Sequence, residues 1–340
     1  MFFVKCIVYI IKDYFDKDTM IQNCTIGIDL GGTKTSFALI SNKGSILKEL
    51  RINTSSEGGE YILSDLLENS IKLQEYANSN NLEVKAIGIG SPGRIDTKNG
   101  IVTDCTPNLK NWQGIHIKEF FSKKINIPVF IDNDANVAAF GEYYLRKLEG
   151  KNESTIIILT LGTGLGSGII YNEKLFRGRG LGSEIGHMIL ENKGRKCNCG
   201  QTGCFEMYVC GTAIETQAKN RLYKYPNSQL NNQEITSHKI FELARQSDLF
   251  CQIIIDEMSE YLAYGIISLI NIFDPNLILL GGGISKQSNI YFDKVINIVK
   301  KEINYTFFDE NIIQIAKSNE KAGLIGSGLI AFHGLEIGEI

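Results

Sequence analysis

The stretch "CTIGIDLGGTKTSFALI", residues 24–40, is the part of the sequence on which the fold prediction depends most. An apolar run over 24–30 breaks at Gly31 and Gly32, and a second apolar run follows over 35–40. This pattern is typical of two buried strands joined by a tight turn. The stretch therefore predicts a hairpin with a bare glycine backbone at its tip.

The same order of strand, glycine turn and strand returns further along the chain. It appears in "IIILTLGTGLGSGII", residues 156–170, and a strand followed by a glycine turn appears in "LILLGGGIS", residues 277–285. The first two stretches, set side by side, form a weak internal repeat. Two duplicated halves of mixed strands and helices indicate an α/β fold with layered sheets.

The domain boundary is expected inside the helical pattern that opens at Asp134, because no proline-rich or serine-rich linker separates the halves. We predict a small α/β domain over 24–134 with 322–340, and a large α/β domain over 135–321. Residues 1–23 are interpreted as an N-terminal extension, with Met20 as an alternative start. An amphipathic strap on the surface and a membrane-surface anchor are the other interpretations of this segment.

The composition limits the classes of partner. The 340 residues are 43% hydrophobic and 21% charged, which are ordinary globular proportions. A formal net charge of -3 argues against a phosphate backbone as partner, since nucleic-acid binders usually carry a basic surplus. The sequence contains no run of about 18 apolar residues, which is the length that a membrane-spanning helix needs. We therefore expect neither a nucleic acid nor a membrane as partner.

The cysteines indicate a reducing compartment and one metal site. Five of the eight are scattered through apolar surroundings, so a cytoplasmic location is expected rather than a secreted disulfide scaffold. The others cluster in "HMILENKGRKCNCGQTGCFE", residues 187–206. There His187, Cys197, Cys199 and Cys204 supply one imidazole and three thiolates, which is a complete tetrahedral set for a structural zinc ion. Unpaired thiols or a disulfide are the alternative.

The glycine turns are candidate phosphate-binding loops. Bare backbone lets amide donors approach phosphate oxygens closely, and a threonine adds a hydroxyl donor. Each turn alone could be a plain tight hairpin, but three of them together favour a nucleotide site. Asp29, at the end of the first strand, is then the natural ligand for the Mg²⁺ that accompanies ATP. The candidate nucleotide-binding residues are Asp29, Gly31, Gly32, Thr33, Lys34, Gly162, Thr163, Gly164, Gly281 and Gly282.

A polar group follows the strand "PVFID", where Asp132, Asn133 and Asp134 open a helix. Asp134 could act as a general base, which must lie within hydrogen-bond reach of the proton it removes. It could equally be a helix N-cap, a role that aspartate fills well. Position alone leaves both interpretations open.

Five stretches together resemble the signature blocks of the ROK family (repressors, open reading frames and sugar kinases). They are "GIDLGGTKTSFAL", "DNDANVAAFGE", "LGTGLGSGI", "GSEIGHMIL" and "CNCGQTGCFE". The resemblance covers the chain from about residue 24 to its end and is closest to the bacterial glucokinase branch. It implies an actin-like ATPase fold of two ribonuclease-H-like domains around a central cleft. It also implies ATP and a hexose as substrates, and a homodimer.

The resemblance further implies roles for single residues. Asp134 would be the catalytic base, and His187 would touch the sugar with its second nitrogen while it ligates the metal. Without the resemblance, Asn108 would be an ordinary turn residue, and Glu184 and Glu206 would be solvated surface glutamates. The residues to which it assigns contacts with the sugar are Asn108, Asn133, Asp134, Glu184, His187 and Glu206.

The chain departs from the family pattern at three positions. Asp132 stands where glutamate is common, and Asn111 stands where a glycine usually precedes the tryptophan. Cys210 stands where a serine is common. The first and third are small changes, whereas Asn111 puts the local turn geometry in question.

A kinase is favoured within this family, and glucose is its expected substrate. N-acetylmannosamine kinase is the next reading, followed by fructokinase or allose kinase. From another class, a sugar-binding transcriptional repressor would need a helix-turn-helix before the first glycine turn. The 28 residues before Asp29 show no such pattern. Asp29, Thr33, Thr163 and Asp134 are all present, which is expected of a kinase.

Overall fold

The computed structural model describes residues 21–105, 109–303, 308–317 and 321–338. Most of the predicted extension and the candidate residue Asn108 therefore lie outside the described residues. The described chain forms two compact units. The first unit consists of two segments, one that ends at Leu148 and one that begins at Gly323. The second unit spans Glu149–Ala322. The domain boundary proposed between residues 134 and 135 stays a prediction. The two compact units meet between Leu148 and Glu149.

The first unit opens with strands and helices in alternation, and its first strand starts at Gln22 rather than at residue 24. Its elements are β1 (Gln22–Leu30), β2 (Lys34–Ser41), β3 (Ile46–Asn53), α1 (Gly59–Asn78), β4 (Leu82–Ser91), β5 (Arg94–Asp96), β6 (Ile101–Asp104), α2 (Ile117–Ser122), β7 (Val129–Asn133) and α3 (Asp134–Leu148). The small hairpin of β5 and β6 was not predicted from the sequence.

The second unit repeats the pattern with more helix. Its elements are β8 (Thr155–Leu161), β9 (Leu165–Tyr171), β10 (Lys174–Leu175), α4 (Glu206–Val209), α5 (Gly211–Arg221), α6 (Ser237–Arg245), α7 (Leu249–Phe273), β11 (Leu277–Gly281), α8 (Ser288–Glu302) and β12 (Ile313–Ile315). The last helix, α9 (Ala322–Ile337), belongs to the first unit from Gly323 onwards. Short 3-10 turns lie at Ile185–His187, Leu222–Lys224, Gln229–Asn232, Ile284–Gln287 and Glu310–Ile312.

The two main sheets share one topology. The first runs β3-β2-β1-β4-β7 and the second runs β10-β9-β8-β11-β12. In each sheet the first two pairings are antiparallel and the last two are parallel. The α/β class predicted from the sequence is confirmed, and the repeated strand-turn-strand units are the opening hairpins of the two sheets.

Helix α9 packs on the first sheet through glycines. A Cβ atom at Gly88 would lie 1.7 Å from the carbonyl oxygen of Ser327, and one at Gly27 would lie 2.5 Å from that of Leu324. Only glycine permits so close an approach of helix and strand backbones. Thr25 adds a side-chain hydrogen bond of 2.8 Å to the carbonyl oxygen of Gly328. The C-terminal helix is thereby held against the strand that ends in Asp29.

Helix α7 forms the centre of the second core. It begins after Asp248, whose carboxylate accepts from the amide of Cys251 at 3.0 Å, and it ends at Asp274 in a left-handed conformation. A Cβ atom at Gly265 would lie 2.2 Å from the ring of Phe205, which is fully buried. The segment before Glu206 is therefore anchored on this helix. Over the described residues, no helix is long and apolar enough to cross a membrane.

Candidate functional site

The first group of candidate residues lies at one edge of the first sheet. Strands β1, β4 and β7 are parallel, so their carboxyl ends meet at the same edge. In the sheet register Asp29 pairs with Gly90, which pairs with Asp132 on its other side. Asp134 follows directly as the first residue of α3. Polar residues far apart in sequence therefore converge, as in other open sheets with parallel strands.

Burial governs the charge of this group. It raises the pKa of Asp29 to about 6, and the neighbouring carboxylate of Asp134 raises it as well. The guanidinium of Arg51 acts in the opposite direction. Burial also raises the pKa of Asp134 above its ordinary value, although hydrogen bonds from the backbone of Ala135 counteract this. Two nearby carboxylates with raised pKa values are typical of a functional site.

The N-cap of α3 is Asn133, not Asp134. The side-chain oxygen of Asn133 accepts from the amides of Ala135 at 2.9 Å and Asn136 at 3.3 Å. Its side-chain nitrogen donates to the carbonyl oxygen of Gly93 at 3.0 Å, and the Asn133 side chain also forms a hydrogen bond with Asp134. The capping role that position alone allowed for Asp134 falls to its neighbour, while the Asp134 carboxylate accepts from the amide of Ala135 at 2.9 Å.

The first glycine turn is tied to the end of β3. The amide of Gly31 donates to the carbonyl oxygen of Lys34 at 3.0 Å, and Thr54 donates its hydroxyl to the carbonyl oxygen of Gly31 at 2.7 Å. The amide of Thr54 donates to the carbonyl oxygen of Thr33 at 2.9 Å. Gly32, Thr33 and Lys34 are exposed. The backbone of the turn is thus fixed while its tip faces solvent, as a binding loop requires.

The second and third glycine turns meet in the second unit. A Cβ atom at Gly282 would lie 2.4 Å from the carbonyl oxygen of Leu161, at the end of β8. Gly282 also has a φ of 83°, which glycine adopts at no cost. The start of α5 holds the second turn, because the amide of Gly211 donates to the carbonyl oxygen of Gly162 at 2.8 Å. Thr212 likewise donates its hydroxyl to the carbonyl oxygen of Thr163 at 2.9 Å.

Glu206 contacts the second glycine turn. One of its carboxylate oxygens accepts from the amide of Leu165 at 2.8 Å, and the same oxygen lies 2.6 Å from where a Cβ atom of Gly164 would be. Cys210 has an extended backbone that separates α4 from α5. Its thiol is buried and lies 3.2 Å from the hydroxyl of Thr212.

Glu184 directly precedes the 3-10 turn Ile185–His187, and His187 is the last residue of that turn. The amide of His187 donates to the carbonyl oxygen of Glu184 at 3.0 Å. The residue before them, Ser183, has a φ of 70°. Glu184, His187 and Glu206 all belong to the second unit, whereas Asp29, Asn133 and Asp134 belong to the first.

The histidine and the three cysteines converge as the spacing predicts. Each of the four residues offers a ligand atom, and these atoms lie within 4.8 Å of one another. The Sγ atoms of Cys199 and Cys204 are 3.7 Å apart, and Sγ of Cys197 is 3.7 Å from Nδ1 of His187. A Zn–S distance of about 2.3 Å places sulfurs in a tetrahedron about 3.8 Å apart. The four side chains can therefore hold one tetrahedral ion, and a disulfide is not formed.

Two glycines bend the backbone that carries these ligands. Gly200 has a φ of 92° and Gly203 a φ of 81°. A Cβ atom at Gly203 would lie 1.9 Å from the carbonyl oxygen of Glu191. The amide of Cys197 donates to the carbonyl oxygen of Gln201 at 2.9 Å, which closes the loop.

A cluster beneath the cysteine loop was missed by sequence reasoning. Arg195 forms an ion pair with Glu257 on α7. Glu257 also forms an ion pair with Arg221. The backbone amide of Arg195 donates to the hydroxyl of Tyr208 at 2.9 Å, and the ring of Tyr208 packs against that of Tyr261 with centroids 4.0 Å apart and planes tilted by 31°. No local pattern signals these contacts, because the partners lie in separate elements.

Asn111 keeps the turn that a glycine would make. It has a φ of 53°, a left-handed conformation that asparagine tolerates better than most residues. Trp112, directly after it, is fully buried and donates its indole N–H to the hydroxyl of Ser91 at 2.9 Å.

Two sheets of the same strand order, each with a glycine turn after its first strand, define the class of actin-like ATPase folds. The chain belongs to the ROK family, whose model matches residues 25–333. The fold class and the family predicted from the sequence are confirmed.

Similar proteins include enzymes and repressors. The chain is 34% identical over 312 residues to a glucokinase of Thermotoga maritima, covering 90% of this chain and 96% of the relative. It is 31% identical over 310 residues to a xylose repressor of Caldicellulosiruptor bescii, covering 88% of this chain and 76% of the relative. A crystal structure of a ROK family glucokinase from Streptomyces griseus in complex with glucose and AMPPNP matches with a TM-score of 0.74 and 32% identity. That match covers 92% of this chain and all of the other, at 100%.

Proposed function

We propose that this protein is an ATP-dependent sugar kinase that transfers the γ-phosphoryl group of ATP to a hydroxyl of a hexose, with glucose as the substrate. The observation that carries the proposal is the pair of carboxylates at the edge of the first sheet. The carboxylate of Asp134 raises the pKa of Asp29, and burial raises the pKa of both. The likeness to named glucokinases supports the choice of glucose.

Asp134 is the general base of the proposed reaction. It accepts the proton of the attacking hydroxyl, so that the hydroxyl oxygen bonds to the γ-phosphorus as the bond to the β-phosphate oxygen breaks. A raised pKa suits this task because it brings the carboxylate closer to the working pH. Positioning contributes more than basicity in phosphoryl transfer. Asn133 supports the base by fixing the start of α3.

Asp29 and the glycine turns form the proposed nucleotide site. Mg²⁺ bound with ATP would supply positive charge for the β- and γ-phosphoryl oxygens, and Asp29 would hold it directly or through water. A cation at this position favours the ionised form of Asp29 and so offsets the cost of burial. The proposed phosphate contacts are Gly31, Gly32, Thr33 and Lys34 of the first turn, Gly162, Thr163 and Gly164 of the second, and Gly281 and Gly282 of the third.

The proposed contacts with the sugar are Asn108, Asn133, Glu184, His187 and Glu206. His187, Cys197, Cys199 and Cys204 would hold a structural zinc ion, because four protein ligands leave no open position for water. The ion would fix the loop between His187 and Glu206 at both ends, which orders the carboxylates on either side of it. A homodimer in the cytoplasm completes the proposal.

The proposed function is tested by ADP release from the purified, zinc-loaded protein with Mg-ATP. Glucose, N-acetylmannosamine, N-acetylglucosamine, mannose, fructose and allose are each assayed against a blank without sugar. We expect turnover with glucose to exceed that with the other sugars by at least tenfold. Turnover on N-acetylmannosamine alone would overturn the choice of glucose and keep the kinase.

A sugar-binding repressor is the second candidate function, because the chain is similar over most of its length to a xylose repressor. Binding of a sugar without turnover on any member of the panel, in protein shown to be folded, would favour it. If the protein is a repressor, it should also retard the migration of DNA in a mobility-shift gel, and addition of the sugar should release the DNA.

A further inference from the structure

The hydroxyl of Ser167 bridges the two peptide groups on either side of Glu184. It donates to the carbonyl oxygen of Ser183 and accepts from the amide of Ile185 at 3.1 Å. Ser167 lies on β9 and is 7% exposed, so water does not readily replace either hydrogen bond. One buried side chain therefore fixes the backbone before and after a candidate contact with the sugar.

The backbone at this point does not hold its conformation by itself. Ser183 has a φ of 70°, in the left-handed region that is unfavourable for a residue with a side chain. Gly182, before it, is wedged so tightly that a Cβ atom would lie 2.5 Å from the carbonyl carbon of Arg177. Such a segment keeps its shape only where neighbouring groups impose it, and the hydroxyl of Ser167 is one of those groups.

The start of β9 also reaches the second candidate carboxylate. The amide of Leu165 donates to Glu206 at 2.8 Å. The carbonyl oxygen of Leu165 would lie 2.4 Å from a Cβ atom at Gly186, so this strand packs directly on the turn that carries His187. Leu165 to Ser167 thus form one rigid edge on which the Glu184 segment and the Glu206 carboxylate are both placed.

We infer that Ser167 is a positioning residue that sets the orientation of Glu184 toward the hydroxyl groups of the acceptor sugar. It does not touch the reacting atoms and takes no part in proton transfer. This inference rests on the proposed function, since it presumes a polyhydroxylated ligand at Glu184. The consequence is selective, because loss of the bridge weakens sugar binding and leaves the nucleotide turns and the metal ligands intact.

The test replaces Ser167 by alanine, which removes both hydrogen bonds, and by threonine, which restores the hydroxyl. Loss of the two hydrogen bonds, partly offset by relaxation, corresponds to about a tenfold change in affinity. We expect Ser167→Ala to raise the KM for glucose about tenfold and to change kcat by less than about threefold. The KM for ATP and the zinc content should stay at the wild-type values, and Ser167→Thr should recover most of the glucose KM.

Ser259→Ala is the matched control. Ser259 is a fully buried serine of the same unit, and its hydroxyl donates to the carbonyl oxygen of Ile255 at 2.7 Å within α7. We expect this variant to lose some thermal stability and to keep the KM for both substrates. A wild-type glucose KM in Ser167→Ala would overturn the inference. An equal rise of both KM values would overturn it too, because it would indicate general loosening of the unit.

Glucose binding measured by calorimetry without nucleotide separates this inference from the proposed function. If the wild type binds glucose but does not turn it over, the kinase proposal fails, and a weaker affinity in Ser167→Ala still supports the bridge. If the wild type turns glucose over and Ser167→Ala binds it with equal affinity, the kinase proposal survives and the bridge fails. A wild type that neither binds nor phosphorylates any sugar of the panel overturns both.

Discussion

Asp134 is the residue whose replacement tests the proposed chemistry most directly. We expect Asp134→Asn to lower kcat by about 10²- to 10⁴-fold, the usual contribution of a positioned general base. Sugar binding measured by calorimetry should change little, because the side chain keeps its size and its place at the start of α3.

Asp65→Asn is the control for that experiment. Asp65 is a half-buried aspartate on α1 of the same unit. It should keep wild-type kcat, and turnover in Asp134→Asn within a factor of about ten of the wild type would remove Asp134 as the base.

Asp29 should cost the protein stability at neutral pH. Its pKa in the folded chain is raised to about 6 from 3.8, so the ionised form is less favourable in the folded state than in the unfolded state. Asp29→Asn should therefore stabilise the nucleotide-free protein above pH 6, by about 1 to 3 kcal/mol. The gain should shrink as pH falls through 6 toward 4, because the wild-type carboxylate is then protonated as well.

Urea unfolding at pH 7.5 and at pH 4.5 measures this effect for Asp29→Asn, and the same variant should lose turnover. A gain of equal size at both pH values would show that the carboxylate charge is not its cause. A loss of stability at pH 7.5 would contradict the burial argument itself.

Among the elements, the cysteine loop is the one that the proposed zinc ion would stabilise. Cys199→Ser removes one of the four ligands and should lower the zinc content to a small fraction of one per chain. The KM for sugar should rise with it, since Glu206 follows the loop directly. Cys105→Ser, at a half-buried cysteine of the other unit, is the control. Normal kinetics in a zinc-free Cys199→Ser protein would refute the supporting role of the metal.

Helix α7 depends on a glycine at its contact with Phe205. Gly265→Ala places a methyl group 2.2 Å from the phenyl ring, and we expect it to lower the free energy of unfolding by about 1 to 3 kcal/mol or more. Gly283→Ala has open space around the new Cβ atom and should change stability by much less. Thermal unfolding of both variants measures the difference, and equal midpoints would contradict the packing argument.

Elements with a strong local pattern were predictable from sequence, and those set by distant contacts were not. The hairpin at Gly31 follows from two apolar runs and a glycine pair, and the metal ligands follow from their spacing. The bridge at Ser167 leaves no such trace, because its partners Ser183 and Ile185 contribute only backbone groups. The ion pair of Arg195 with Glu257 joins a loop to a helix that the sequence places far downstream.

At the scale of the whole chain, the internal repeat indicated the correct architecture, but it did not indicate where one unit ends and the next begins. The two sheets share one strand order, as the similar opening stretches suggested. The end of the first unit is decided by which sheet α3 packs on, and that depends on tertiary contacts rather than on composition. A linker between units would have marked the boundary, but the chain passes from one unit to the other directly after α3.

The oligomeric state is a further prediction at this scale. The family resemblance implies a homodimer. Light scattering coupled to size-exclusion chromatography should therefore give twice the mass of one chain. The mass should not change over a tenfold range of loading concentration. A mass equal to one chain at micromolar concentration would contradict the prediction.

The return of α9 to the first unit has a consequence for biosynthesis. The strands of the first unit are made before the second unit, but the helix that packs against Gly27 and Gly88 is made after it. The second unit is continuous, so all of its residues have been added to the chain before α9 of the first unit is complete. We expect the first unit to stay incomplete, and open to chaperones, until α9 has been made, although its strands are made before the second unit.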